Sequence, residues 1–201
     1  MTFSVWNCRV VLSPLFMAVL TFLLLVDRTG QVPYVLLAVA IHELGHLFTM
    51  KASGVLPKRI EFRPFEVNIV RQKQITSFGV DLWIASAGVL ANVLALAIFL
   101  LIHLVCRQSW LLTAAAAQFG VMLFNLLPVK SLDGWQILYC LGALTGGKEY
   151  QSKVLSAVSW LFTCGLLLVS VPLLIKNHNP TLLLFCLYIG VLQPMQQNRS
   201  A

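Results

Sequence analysis

His42-Glu43-Leu44-Gly45-His46 lies inside an apolar run, residues 33–50, that is long enough to cross a bilayer. Backbone in hydrocarbon must bond within its own segment, so this run is predicted to be a helix. On a helix, residues i and i+4 share a face, and His42 and His46 can therefore offer two imidazoles to one ion. Glu43 follows His42 directly and can reach a water on that ion, the arrangement that H-E-x-x-H gives around zinc. Ionisable groups at membrane depth cost a few kcal/mol or more and mark function. The motif predicts a buried metal centre.

The rest of the chain belongs to the same class. Of its 201 residues, 59% are hydrophobic and 10% charged, against roughly 25% charged in soluble domains. An all-α polytopic membrane protein is expected, as a single membrane-embedded domain over residues 1–201. Apolar runs predict spans at residues 10–26, 33–50, 82–106, 110–127 and 154–175, with a shorter last one at 181–192, about six in all. The first run lacks a small-residue cleavage site before Asp27-Arg28 and is read as a retained span. Residues 51–81 form the long polar stretch. Within it, Arg59-Ile60-Glu61-Phe62-Arg63 and Glu66-Val67-Asn68-Ile69-Val70-Arg71 partly alternate, which predicts a small β-hairpin-like segment at the membrane surface. Trp83, Trp110, Trp135 and Trp160 are expected as interface anchors or packing.

The net charge of +7 does not point to nucleic acid, because the basic residues cluster beside the spans. With both termini and the opening of the site in the cytosol, eleven Lys and Arg fall on that side and Arg28, Arg107 and Lys176 on the other. That bias fits the positive-inside rule, in a bacterial-type cell membrane. His46 then lies about 7–8 Å below the cytosolic end of its helix, at 1.5 Å per residue. The five cysteines show no metal or disulfide spacing and read as small apolar residues.

Catalytic zinc takes three protein ligands and an open position. Of the acidic residues, Glu43 and Asp133 fall within membrane-associated motifs, and the other five sit at span ends or in the polar loop. Asp133 is the third ligand by elimination, with His103 and His178 as weak competitors near the opposite face. Its setting also fits: Pro128 ends a helix, and a broken segment runs through Asp133-Gly134 to Leu144. Irregular backbone at membrane depth belongs where it lines a polar cavity.

Three motifs, His42 to His46, Ala87-Gly88-Val89-Leu90-Ala91-Asn92, and Asn125 to Gly134, resemble those of the site-2 protease family of intramembrane zinc metalloproteases. The resemblance covers roughly residues 33–145. It implies His42, His46 and Asp133 as ligands of one catalytic Zn2+ and Glu43 as general base. Size, with no room for a PDZ or CBS domain, makes the chain most similar to the stage IV sporulation protein FB subgroup. Those enzymes release a transcription factor from a membrane-tethered precursor. Val89 stands where many relatives have proline, Lys130-Ser131 replaces a proline-richer spacer, and Trp135 takes a place often held by glycine.

Asn125 and Asn92 are candidate donors to the developing oxyanion, beside an ordinary role as interhelical hydrogen-bonding groups. Gly45 reads as a close-packing contact. The 59–71 segment offers an edge for an extended substrate. The expected partners are a membrane-tethered protein substrate, the lipid bilayer and a membrane-protein inhibitor or regulator. A second reading is a zinc-binding membrane protein without protease activity, a transporter or inactive scaffold. A transporter would carry further ligands along a path through several spans.

Overall fold

The computed structural model describes residues 2–5, 8–63, 66–71, 76–130, 132–145 and 148–177. In chain order the elements are β1 (Thr2–Val5), β2 (Cys8–Leu12), α1 (Pro14–Val26), α2 (Val32–Ala52), β3 (Pro57–Arg63), β4 (Glu66–Arg71), α3 (Phe78–Cys106), α4 (Ser109–Asn125), α5 (Asp133–Leu144) and α6 (Lys148–Asn177). The chain divides into two compact units, Met1–Leu123 and Phe124–Ala201.

In the first unit the strands form one sheet in the order β1-β2-β3-β4. The outer pairs are antiparallel, and β2 runs parallel to β3, with Val10 opposite Ile60 and Leu12 opposite Phe62. The expected hairpin is present as β3 and β4. The first predicted span is corrected. Residues 10–12 are strand, because the β-branched pair Val10-Val11 suits a half-buried sheet position. The ladder continues through Ser13, whose N–H donates to the Phe62 carbonyl at 3.1 Å. The Ser13 hydroxyl then accepts from the Phe16 N–H at 3.0 Å, and Pro14 supplies the first helical position. Those two residues fix the start of α1. Its 13 residues cover only about 20 Å at 1.5 Å per residue.

α2 ends where Gly54 takes φ +71°. The Gly54 N–H donates to Lys51 and the Val55 N–H to Met50 at 2.9 Å, closing the last turn. This delivers Val55 into a small core with Met50 and Ile84. At the other end of the polar stretch, Asp81 in the first turn of α3 pairs with Arg71 and accepts from the Thr76 hydroxyl at 3.0 Å. β4 is thereby tied to α3.

α2 and α3 pack through small residues. A Cβ on Gly45 would stand 2.6 Å from the Ala87 carbonyl oxygen and 2.8 Å from Ala91 Cβ. The close-packing role expected of Gly45 is what the structure has, and such small-residue contacts let membrane helices approach. On α4, Leu111, Ala114, Ala115 and Gln118 are buried, one helical face at i, i+3, i+4 and i+7.

In the second unit, the Leu127 N–H donates to Phe124, that of Val129 to Leu127 and that of Leu132 to Val129, a run of tight turns around Pro128. The segment expected to stay broken to Leu144 is instead a regular helix from Asp133 onward. Helical bonding resumes as soon as Leu132, in extended conformation, has turned the chain. A Cβ on Gly134 would overlap the Leu126 carbonyl, so the first turn of α5 lies directly against the chain leaving α4. The Lys130 N–H donates to the buried Ser159 hydroxyl of α6 at 2.9 Å. Trp135 and Tyr139 stack along α5 with ring centroids 5.2 Å apart.

Residues 32–52, 78–106 and 153–172 are helices long and apolar enough to cross a membrane; α1 and α4 are apolar but shorter. Phe48, Leu44, Leu104, Leu168 and Trp83 stand exposed from helical faces, a surface suited to lipid. The chain is a mostly helical membrane protein. Residues 181–192, read as the last span, lie outside the described residues.

Candidate metal centre

The first unit holds the two histidines on the buried face of α2, where Ala38, His42 and His46 follow one another at intervals of four. His42 is 3% and His46 8% exposed. Each ring is pinned at Nδ1 by α3. The His46 Nδ1 lies 2.8 Å from the Ile84 carbonyl. A carbonyl only accepts, so this nitrogen carries the proton and Nε2 carries the lone pair.

His42 reaches the same tautomer through Asn92, which is fully buried. Asn92 Nδ2 lies 3.3 Å from the Ala38 carbonyl, again an obligate acceptor, so this end of the amide is the NH2 group. Its Oδ1 therefore faces His42 Nδ1 at 3.0 Å and accepts its proton. The second Nδ2 proton goes to Gln118 Oε1 at 3.0 Å. Every hydrogen-bonding site that Asn92 needs is thus used. Both amide protons of Asn92, expected as an oxyanion donor, are engaged here by Ala38 and Gln118.

The consequence is two Nε2 atoms that carry lone pairs and face one another, 3.2 Å apart, with ring centroids at 4.8 Å. Two lone pairs at that distance repel unless a cation lies between them. A tetrahedral zinc with Zn–N of about 2.0–2.1 Å sets two nitrogens about 3.3 Å apart. The observed separation fits that ion. Gly88 leaves the space: a Cβ there would overlap His46 Nε2 and stand 2.7 Å from His42 Nε2. The Ala87-Gly88 step of the second motif thus keeps α3 from filling the face where the rings point.

Glu43 is half-buried, one residue beyond His42. His103, the weak competitor, sits in the last turn of α3 with its Nδ1 2.9 Å from the Gln108 carbonyl. That places it about 28 Å along the helix from Ile84 at 1.5 Å per residue, too far to join the pair. His178 lies outside the described residues.

Asp133 and Asn125 belong to the second unit. Asp133 is the first residue of α5 and half-buried, at the helix end whose dipole favours a carboxylate. Asn125 is the last residue of α4, also half-buried. Sequence reasoning missed Gln118 and the Ile84 and Ala38 carbonyls. Carbonyl partners leave no trace in side-chain identity. Gln118 did leave one: a lone amide in the run Ala114-Ala115-Ala116-Ala117-Gln118, inside an apolar helix.

No protein-family model matches the chain, and no curated protein does. Among solved structures, the chain is similar to the site-2 protease from Methanocaldococcus jannaschii. The two are 20% identical and superpose with a TM-score of 0.70, over 97% of this chain and 94% of that one. At that identity the likeness shows the fold, and the chain has the fold of that site-2 protease.

Proposed function

We propose that the chain is an intramembrane zinc metalloendopeptidase, a single membrane-embedded domain acting on a membrane-tethered protein. The observation that carries this reading is the converging pair of Nε2 lone pairs beside Glu43. The likeness in fold to a site-2 protease supports it. In this reading His42, His46 and Asp133 supply the three protein ligands, as the resemblance of the three motifs implies. Two imidazoles and one carboxylate are also a ligand set used by catalytic zinc, with a fourth position left for water.

A zinc ion held by these residues would acidify water and polarise the scissile carbonyl. Glu43 takes the proton of the attacking water as the scissile carbonyl is attacked, then returns it to the leaving amine. Asn92 and Ile84 hold the two rings in the tautomer that keeps Nε2 basic. Asn125 is the side-chain candidate for the developing oxyanion. The substrate segment, unwound from its helix, pairs along the outer edge of β4, the last strand of the sheet. A membrane-tethered precursor of a sporulation transcription factor is the proposed substrate, on the resemblance of the three motifs. Termini and site opening face the cytosol in this reading.

The test is co-expression of wild type and Glu43→Gln with candidate membrane-tethered precursors. Cleavage is expected to fall by about 10²–10⁴-fold with zinc content unchanged. Normal cleavage by the variant would remove Glu43 from the mechanism. Zinc bound at one per chain, with no peptide-bond cleavage of any tethered precursor, would favour the non-proteolytic reading.

A further inference from the structure

Gln118 has no place in any of the three motifs, yet it is fully buried and meets Asn92 of the second. Its Oε1 accepts from Asn92 Nδ2. Among the described residues its own Nε2 has no hydrogen-bond partner. A buried unsatisfied donor costs about 1–3 kcal/mol, so stability alone would favour an apolar residue of similar volume. Turning the amide over would set two NH2 groups face to face and break the bond to Asn92. The side chain is therefore held with its acceptor toward Asn92 at the expense of its donor.

What that acceptor does follows from the amide it meets. The Asn92 side chain has two orientations, and only one presents Oδ1 to His42. The Ala38 carbonyl favours that orientation through a bond of 3.3 Å, long for N–H···O. Gln118 adds a second vote at 3.0 Å. In the other orientation NH2 would face His42 Nδ1, the proton would move to Nε2, and the nitrogen aimed at its neighbour would lose its lone pair.

We propose that Gln118 is a positioning residue for the metal centre, acting through Asn92 to keep His42 in the Nδ1–H tautomer that binds metal. The chain runs Gln118 Oε1, Asn92 amide, His42 imidazole, and links α4 to α2 across α3. This inference rests on the zinc reading of the His42–His46 pair. Its energetic weight belongs to metal affinity and not to the packing of α4, because the carboxamide's volume is nearly that of a methionine side chain.

The experiment measures Zn2+ affinity of the purified full chain by chelator competition, with thermal stability of the zinc-free protein alongside. Gln118→Met is expected to weaken zinc binding by about 10-fold, the lower end for residues that orient ligands. Gln118→Glu, which keeps an acceptor, is expected to restore affinity to within about 3-fold of wild type. In an Asn92→Ala background, Gln118→Met is expected to change affinity no further. Wild-type affinity in Gln118→Met, or an undiminished effect in the Asn92→Ala background, would overturn the proposal. If the Met variant fails to fold, the Glu variant and its imidazole nitrogen NMR shifts decide: wild-type shifts support the chain, and a His42 ring protonated at Nε2 refutes it. Wild-type chain that binds no zinc would instead remove the zinc reading itself.

Discussion

At the scale of single residues, the centre depends on small groups as much as on ligands. Gly88 is the sharpest case, because any Cβ there overlaps the nitrogens meant for the ion. Gly88→Ala is expected to lower zinc occupancy by 10-fold or more while the helical circular dichroism stays unchanged; full occupancy would show that α3 can yield. The facing of His42 and His46 was legible because their spacing is dictated by the helical repeat. Asn92 was legible as a polar residue in a span, but its role was not. Only the Ala38 and Gln118 acceptors reveal which way its amide turns. Gln118 was visible as an oddity in an alanine run, without the fold to say what it touches.

Elements were legible where one periodicity extended over many residues, and misread where two met. α2 and α3 lie close to their predicted bounds, since long apolar runs leave little choice. Residues 10–26 looked like one span because strand and helix are both apolar there. The boundary is set by Ser13-Pro14, whose cap outweighs the continuity of hydrophobicity. α5 was read as irregular because proline and glycine flank it, yet helix forms as soon as the turn is complete. The turn between α1 and α2 carries its own pH dependence. The Asp27 carboxylate accepts from the Val32 N–H at 2.8 Å and from the Thr29 N–H and hydroxyl at 3.0 and 2.8 Å. Those bonds, Val32 foremost, hold its pKa below the usual carboxylate value. A depressed folded pKa means the stabilisation is complete above the ordinary value of about 3.9 and lost as pH falls through the lower folded one. Faster amide exchange at Val32 is expected below about pH 4, after correction for intrinsic rates, and Asp27→Asn is expected to abolish that dependence. An unchanged profile in the variant would assign the effect elsewhere.

For the whole molecule, membrane residence was legible from composition, and the placement of Lys and Arg proposes an orientation. The four-stranded sheet was legible only as its β3–β4 hairpin, because the pairing of β2 with β3 joins residues some fifty positions apart. The proposed orientation would set Ala52 at the cytosolic end of α2 and Cys106 at the far end of α3. In an otherwise cysteine-free chain in intact cells, a membrane-impermeant maleimide is expected to label the exposed Cys106 and to spare the cysteine of Ala52→Cys. The reverse pattern would invert the topology.

The central proposal is that two imidazoles of α2 and the carboxylate of Asp133 bind one zinc ion. Zinc analysis of the purified chain, with X-ray absorption at the zinc edge, measures it most directly in wild type and Asp133→Ala. One zinc per chain is expected in wild type, with two imidazole nitrogens and oxygen ligands in its shell, and occupancy is expected to collapse in the variant. Asp133→Ala that kept its full zinc and an unchanged ligand shell would contradict the account.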